Sequence, residues 1–278
     1  MDFLDDLLEG FKNRKILNKL KSYAKNSIEL EFDFEEDIPC GGSKFGGKPD
    51  VPQGFVWECY NGKPLSFIAQ FDLSETAKYD AEHLLPTSGT LSFFYELEAM
   101  EWGYDPKTLS SAKIYYFPPE EKLSPAEFPE DLEGDYRFNE AKIVMKSKLS
   151  YPCPSDDINL PLSEDESDEY FDIYDEMTPE YPDTISKLLG HPDLIQGAIA
   201  LQCELVSRNI YTGSGYPTIT DEMRKAAEDW ILLFQLDSFD NEDCPLMFGD
   251  GGRIYWYIRK DDLKNMRFDK AQLVLQCG

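Results

Sequence analysis

The residues of this chain best suited to chemistry form two similar pairs, each a glutamine followed two positions later by an aspartate. Gln70 and Asp72 make the first pair, and Gln235 and Asp237 make the second. Each pair lies in an otherwise apolar run that predicts a strand. Alternate residues of a strand project from one face, so each pair presents an amide beside a carboxylate. Together with Arg253, these residues are candidates for binding a polar ligand.

The two glutamines have two interpretations. A buried amide needs partners, because each unsatisfied donor or acceptor costs about 1–3 kcal/mol. In the structural interpretation, each glutamine fastens a nearby loop, either the Gly-Lys-Pro-Asp turn ending at Asp50 or the Gly-His-Pro-Asp turn ending at Asp193. In the functional interpretation, both pairs line one cleft between two halves of the protein, with Asp50, Asp193 and Arg253 close by.

Other catalytic or metal-binding patterns receive little support from the sequence. The chain has two histidines, His83 and His191, so a site that requires two imidazoles is nearly excluded. His191 also occupies the position that Lys48 holds in a similar motif, which disfavours a catalytic triad through it. The cysteines form no C-x-x-C pair, and no phosphate-binding glycine motif is present. We therefore predict no catalytic residue, no metal site and no cofactor.

The charge of the chain limits its partners. The formal net charge is −27, and residues 120–183 alone hold 20 acidic side chains against five basic ones. Nucleic acids and anionic membranes attract clustered lysine and arginine, so we expect neither as a partner. A basic protein is the partner that this charge favours, although solubility alone also explains it.

The cysteines and the first residues predict a cytoplasmic protein. Six cysteines are scattered along the chain, a pattern that favours reduced thiols over a disulfide framework. An exported protein with one or two disulfides is the alternative. The opening Met1–Asp6 lacks the positive segment of a secretory signal, and no apolar run reaches the ~18 residues needed to span a bilayer.

Sequence motifs recur in the same order in the two halves of the chain. Residues 43–50 read Ser-Lys-Phe-Gly-Gly-Lys-Pro-Asp, and residues 186–193 read Ser-Lys-Leu-Leu-Gly-His-Pro-Asp, with five of eight positions identical. Three further similarities follow: 67–72 with 232–237, 89–95 with 252–258, and 112–116 with 271–275. This order predicts an ancient duplication of one β-rich unit.

We predict an α+β fold that is β-rich, with mostly antiparallel sheets from two tandem related repeats packed as one body and an N-terminal helix. Its closing strand, 268–276, is expected to pair deep in the sheet. The predicted parts are an N-terminal helix over 1–27, a first repeat over 28–118, an acidic Pro-rich connection over 119–185 and a second repeat over 186–278, with 28–278 forming one compact domain.

Five segments together resemble the YwqG-like proteins, a widespread bacterial family with scattered eukaryotic members. The segments are Ser43–Asp50, Phe67–Leu73, Trp102–Pro106, Leu189–Asp193 and Gly249–Trp256. The likeness covers roughly residues 28 to 277. It implies a β-dominated α+β fold of two related halves, and it brings no known activity, cofactor or catalytic residue. The acidic stretch 155–183 matches no motif of that family.

Two functions of different class remain open at this point. The preferred one is a non-enzymatic cytosolic binding or interaction protein, because catalytic signatures are lacking and an acidic surface speeds association with a basic protein. The alternative is a carboxylate- or metal-dependent hydrolase or lyase with its site between the two repeats. Carboxylates can perform acid–base chemistry or hold a hard cation such as Ca²⁺.

Overall fold

A large antiparallel β-sheet, nearly closed into a barrel, dominates the structure and is accompanied by a few helices. This is a computed structural model, which describes residues 14–156, 158, 160–177, 185–239 and 244–278. The predicted β-rich, mostly antiparallel character is confirmed.

The described strands, in chain order, are β1 Lys25–Asp33, β2 Lys44–Phe45, β3 Asp50–Pro52, β4 Cys59–Tyr60, β5 Lys63–Pro64, β6 Ser66–Asp72, β7 Thr90–Tyr95, β8 Ala112–Phe117, β9 Leu123–Pro125, β10 Ala141–Ser150, β11 Ser186–Leu188, β12 Trp230–Asp237, β13 Arg253–Arg259 and β14 Gln272–Gln276. Ten of them form the main sheet in the order β14-β13-β12-β11-β1-β10-β2-β6-β7-β8. The pairs β3–β9 and β4–β5 form two small ladders beside it.

The helices lie between strands or flank them. The described α-helices are α1 Arg14–Leu20, α2 Leu73–Thr76, α3 Glu164–Met177, α4 Ala200–Ser207, α5 Asp221–Ala227 and α6 Lys260–Lys264. Short 3₁₀ turns occur at Lys21–Tyr23, Pro106–Ser111, Gly134–Tyr136 and Phe268–Lys270. Within the described residues, no helix is both long enough and apolar enough to cross a membrane.

Strand β1 shows why the sequence folds as a half-exposed strand. Its Ile28 and Leu30 are buried in the core, whereas Glu29 and Glu31, which alternate with them, lie on the other face. Glu29 forms an ion pair with Lys148 of β10, and a neighbouring Glu–Lys pair links the same two strands. The alternation of apolar and acidic residues thus matches the two environments of the sheet. The same alternation over residues 28–34 predicts a half-exposed strand from the sequence, and the structure has this strand over Lys25–Asp33.

The core of the barrel is built from aromatic rings contributed by strands far apart in the sheet order. Phe93 of β7 lies 4.9 Å from Phe234 of β12 and 5.2 Å from Trp256 of β13, measured between ring centroids. Phe71 of β6 lies 5.3 Å from Phe234. Because β6 and β7 stand near one end of the sheet and β12 and β13 near the other, these contacts require the sheet to curl around one shared core.

The prediction that the closing strand pairs deep in the sheet is wrong. Residues 268–270 form a 3₁₀ turn, and β14 stands at one end of the strand order, paired with β13. A loop covers this strand: the Leu275 N–H donates to the Trp102 carbonyl at 3.3 Å. Gly103 permits that approach, since a Cβ there would lie 2.1 Å from the Leu273 carbonyl oxygen and its φ is +78°. The strand is apolar because Leu273 and Leu275 belong to the main core and Val274 packs in a second buried cluster on the other face.

Two predicted segments differ in the structure from their predicted extent or role. The helix predicted over 1–27 is seen as α1 and a 3₁₀ turn, and the chain is already a strand at Lys25; residues 1–13 lie outside the described residues. The predicted connection 119–185 contains β9, β10 and α3, and β10 pairs with both β1 and β2 inside the main sheet.

Candidate functional site

Gln70 lies on β6 with its amide group fully buried and fully hydrogen-bonded. Its Oε1 accepts the backbone N–H of Asp50 at 2.9 Å, and its Nε2 donates to the Gly42 carbonyl at 2.9 Å and to Asp50 Oδ2 at 2.7 Å. Lys44 lies opposite Gln70 in the sheet register. We call Lys44, Asp50 and Gln70 the first cluster.

The charge of the buried Asp50 carboxylate is balanced within the first cluster. Asp50 is 0% exposed and Lys44 is 4% exposed. The Lys44 Nζ lies 3.3 Å from Asp50 Oδ2 and 2.8 Å from Glu140 Oε2, and the Gly41 N–H donates to Asp50 at 2.9 Å. A buried carboxylate is tolerated when it is paired and hydrogen-bonded in this way.

Gln235 on β12 repeats these contacts in the second half of the chain. Its Oε1 accepts the Asp193 N–H at 2.9 Å, and its Nε2 donates to the Ile185 carbonyl at 2.6 Å and to Asp193 Oδ2 at 3.0 Å. Lys187 lies opposite Gln235 in the register and forms an ion pair with Asp193. We call Lys187, Asp193 and Gln235 the second cluster.

Two carboxylates at the second cluster have pKa values displaced in opposite directions. Burial by itself raises the pKa of Asp193, but the Lys187 ammonium and the hydrogen bonds from Lys187 and Gln235 outweigh it, so the pKa is lowered. Burial dominates at Asp237 and raises its pKa, although Arg253 Nε lies 2.8 Å from Asp237 Oδ1. Opposite charges nearby favour the ionised form, and desolvation disfavours it.

The two predicted aspartates, Asp72 and Asp237, anchor their own strand ends. The Asp72 N–H donates to Ser43 Oγ at 3.0 Å, and its carboxylate caps α2 by accepting the Ser74 N–H at 2.8 Å. The Asp237 N–H donates to Ser186 Oγ at 3.1 Å. Ser43 and Ser186 are the first residues of the two similar motifs, so the same serine–aspartate contact recurs.

The structure places each predicted glutamine against the loop of its own motif, which is the geometry of the structural interpretation. The neighbouring Phe71 and Phe234 point into the shared core, so alternation directs Gln70 and Gln235 to the opposite face of the sheet. Among the described residues, no hydrogen bond joins the first cluster to the second. A ligand-binding role for these residues stays a prediction.

Replacing either glutamine by methionine is expected to lower the free energy of unfolding by about 2 kcal/mol, because each change leaves an aspartate N–H and a loop carbonyl without their partner. Urea denaturation of Gln70→Met and Gln235→Met measures this. The exposed Gln53 gives the control Gln53→Met, which we expect to be neutral. Wild-type stability in both cluster variants would show that these hydrogen bonds contribute little.

Residues that could hold a metal do not come together in the described part of the chain. No group of three or more histidine, cysteine, aspartate or glutamate side chains there has metal-binding geometry. The six cysteines, all of them among the described residues, form no disulfide, with Cys40 and Cys59 exposed and the other four buried.

A cleft of about 450 Å³ lies apart from the predicted residues, none of which lines it. Its walls come from the start of β1, the loop after β10, the loop after β11, the helices α4 and α5, and the adjoining ends of β12, β13 and α6. The lining residues are Lys25, Asp156, Ile158, Gly190, His191, Pro192, Ala200, Leu201, Arg224, Ala227, Glu228, Trp230, Ile231, Leu232, Tyr257 and Lys260. The cleft was not predicted from the sequence. The one local indication of it is that the second motif has His191 where the first has Lys48.

His191 is a fixed, neutral part of the cleft wall. Its backbone N–H donates to Ser150 Oγ at 2.9 Å, and its Nε2 lies 2.7 Å from the Tyr23 carbonyl, so Nε2 carries the proton. Burial lowers the pKa of His191 to about 3, and the Lys25 charge acts in the same direction. The imidazole is therefore uncharged at neutral pH.

A protein-family model described as a domain of unknown function (DUF1963) matches residues 43–277. The match begins at Ser43, the first residue of the first motif, and contains both clusters and most of the barrel. The chain belongs to the DUF1963 family. No curated protein matches the chain. The family match thus covers most of the fold, and it assigns no activity.

Proposed function

We propose that this DUF1963 protein is a binding or interaction protein without catalytic activity, and that it docks a basic protein on helix α3. The observation that carries this proposal is the arrangement of α3. The helix contains eight acidic residues and no basic one.

The exposed residues of α3 form one continuous acidic stripe with an aromatic residue at its middle. Five exposed residues of α3 follow one another at spacings of one, three or four positions: Glu164, Asp168, Phe171, Asp172 and Asp175. That spacing places them on one face of the helix. Phe171 is 55% exposed. A basic partner with an apolar side chain is complementary to this stripe, since opposite charges speed association and an aromatic anchor adds affinity.

The opposite face of α3 holds the helix on the body of the protein. Tyr170 and Ile173 are buried, and Tyr170 packs with Ile16, Leu20 and Tyr151. The Tyr170 hydroxyl donates to the Pro152 carbonyl at 2.6 Å. The acidic stripe is therefore held in place before a partner arrives, which lowers the entropy lost on binding.

A lysine-rich peptide containing one leucine is a suitable probe for this surface. We expect the triple variant Asp168→Asn, Asp172→Asn and Asp175→Asn to bind it about tenfold more weakly, because three charges of the stripe are removed. Biolayer interferometry at two salt concentrations gives the affinity and its salt dependence. Phe171→Ala is expected to weaken binding without changing the salt dependence.

The control removes the same charge elsewhere. Glu120→Gln, Glu121→Gln and Asp250→Asn change three exposed carboxylates outside α3, and we expect peptide affinity to stay within about twofold of wild type. If both triple variants weaken peptide binding equally, the binding depends on net charge alone, and α3 is rejected as the docking surface.

We favour this function over the carboxylate- or metal-dependent hydrolase or lyase. In both clusters, the buried aspartates accept hydrogen bonds from a glutamine and pair with a lysine, which leaves them poorly placed for acid–base chemistry. The cleft of about 450 Å³ contains neither cluster. Incubation of the protein with ester, amide and phosphoester substrates tests this choice. If the wild type turns over one of them and Asp193→Asn does not, the hydrolase or lyase is the correct function.

We further propose that the fold arose by duplication of one β-rich unit. The order β11-β12-β13-β14 on one side of β1 and β10 corresponds to β2-β6-β7-β8 on the other. Lys44 faces Gln70 as Lys187 faces Gln235, and both glutamines contact the aspartate that ends their motif. Superposition of the two sets of four strands tests this idea, and strands running in opposite directions would reject it.

Within this family, we propose a YwqG-like assignment and a cytoplasmic location. The segments that resemble YwqG-like proteins support the first, and six described cysteines without a disulfide, which suit a reducing compartment, support the second. Labelling of the exposed Cys40 in intact cells with a membrane-impermeant maleimide tests the location. Rapid labelling would contradict it.

A further inference from the structure

The cleft beside His191 has the size and composition of a small-molecule site. Its volume of about 450 Å³ falls within the range of about 300–1,000 Å³ that is usual for such sites. Its walls combine apolar side chains with a few charged groups, as ligand sites do. Nothing in the two clusters or the α3 stripe uses this cleft, so an inference about it does not depend on the proposed function.

Three cations from three separate elements line this cleft in a chain of net charge −27. Lys25 opens β1, Arg224 lies on α5, and Lys260 opens α6. Among the described residues, the acidic members of the lining are Asp156, which is half-buried, and Glu228, which is exposed. The described lining thus carries three basic side chains against two acidic ones, on a strongly acidic protein.

Lys25 is the cation most in need of a counter-charge. It is half-buried, and no ion pair of its ammonium with another described residue is formed. Burial is the main cause that lowers the pKa of Lys25, and the charge of Lys260 adds to it, against partial relief from Asp156 and Glu82. An anion bound between the Lys25 and Lys260 ammonium groups would counter both causes of the lowered Lys25 pKa, the charge of Lys260 and the burial.

Helix α4 adds a partial positive charge to the same wall. Its first residues, Ala200 and Leu201, line the cleft, and its N-terminus carries no side-chain cap. The first N–H groups of a helix lack intrahelical partners and favour an anion.

An aromatic wall adjoins these charges and is rigidly held. Trp230 donates its indole N–H to the buried Glu204 at 3.0 Å, and Arg259 stacks on its ring at 4.8 Å from the centroid. Tyr257 and Leu232 continue the wall. A site with a fixed indole beside cations suits a ligand with a ring or other flat apolar body next to its negative group.

We propose that this cleft binds a small organic anion, a phosphate monoester or carboxylate carried on an aromatic or other flat apolar body. Lys25 and Lys260 bind the negative group, Arg224 closes over it from α5, and Trp230 packs against the apolar body. His191, neutral and bonded to Tyr23, shapes the wall and takes no part in proton transfer.

Titration calorimetry of the full chain with phenyl phosphate tests this proposal. We expect saturable binding of one molecule per chain, binding of inorganic phosphate that is about tenfold weaker, and no detectable binding of phenol. The double variant Lys25→Met and Lys260→Met is expected to weaken phenyl phosphate binding at least about tenfold, since each lysine supplies a charge-assisted contact. Absence of saturable binding at millimolar phenyl phosphate would overturn the site, and equal affinity for inorganic phosphate would overturn the aromatic requirement.

A matched control removes two exposed lysines of β10, Lys146→Met with Lys148→Met, which pair with glutamates of β1. We expect this control to keep affinity within about twofold, because the same charge change lies outside the cleft. Equal weakening in both double variants would overturn the proposal. If the cleft variant does not fold, Arg224→Met at an exposed position replaces it, with a loss of affinity again expected.

Chemical labelling locates the ligand independently of affinity. A lysine whose pKa is lowered is acylated faster at neutral pH, so an amine-reactive ester should label Lys25 readily. We expect phenyl phosphate to protect Lys25, as measured by mass spectrometry, and to leave Lys146 labelled as before. Binding without protection of Lys25 would place the anion elsewhere and overturn the proposal.

Discussion

Replacing Lys187 by methionine is expected to lower the free energy of unfolding by about 3–5 kcal/mol, because it leaves the Asp193 carboxylate without its cation. The Lys187 and Asp193 side chains are 6% and 14% exposed, so water compensates poorly for the lost partner. The lowered pKa of Asp193 owes much to Lys187, and we expect it to rise in the variant. Urea denaturation followed by tryptophan fluorescence measures the loss.

Two further variants separate the buried charge from the loss of a side chain. Lys187→Met combined with Asp193→Asn removes both charges and is expected to cost less than Lys187→Met alone, because no carboxylate is left unpaired. Lys48 pairs with Glu127 at the surface, where both side chains are more than two-fifths exposed. Lys48→Met should therefore cost about 0–1 kcal/mol. A Lys187→Met variant as stable as Lys48→Met would show that the pair contributes no more than a surface ion pair.

The contacts of the two clusters explain which residues recur between the motifs. The repeated serine accepts the N–H of the strand aspartate, the repeated lysine pairs with the motif aspartate, and that aspartate bonds to the strand glutamine. The sequence identified the glutamine, the aspartates and the loops, and it offered the correct geometry as one of two interpretations. The burial of Lys44 and Lys187 was not predicted, because a lysine in a sequence motif ordinarily indicates an exposed side chain rather than a buried ion pair.

Strand positions could be predicted more reliably than strand neighbours. The alternation in β1 and the apolar runs of β6, β7 and β12 indicated strands, and strands are present there. Pairing depends on contacts between distant segments, which periodicity does not contain. The apolar sequence of β14 suggests a central strand because both of its faces are buried, and β10 lies inside a Pro-rich acidic segment whose composition suggests a connection.

The cleft could not be predicted, because its cations and its aromatic wall come from segments spread over most of the chain. Lys25 and Lys260 become neighbours through the order of β1, β11, β12 and β13 in the sheet. In the sequence, each lysine counts only toward an acidic net charge. A local concentration of positive charge is a property of the fold and is invisible in the net charge.

Acidification from pH 7 to pH 4 should destabilise the wild type by about 3 kcal/mol more than it destabilises His191→Gln. The pKa of His191 is lowered from 6.5 to about 3 by burial in the fold. Between those values the unfolded chain binds a proton that the folded chain does not, so stability falls as the pH falls through this window. Glutamine keeps a donor for the Tyr23 carbonyl and does not titrate.

The second histidine supplies the control for this pH dependence. His83 is exposed, so the stability of His83→Gln should follow the wild type at every pH. Carboxylates such as Asp193 titrate in all three proteins and cancel from the comparison. Denaturation curves at half-unit pH steps give the free energies directly. Parallel curves for the wild type and His191→Gln between pH 7 and pH 4 would mean that the imidazole can be protonated in the folded state. The conclusion that His191 is a neutral part of the cleft wall would then be wrong.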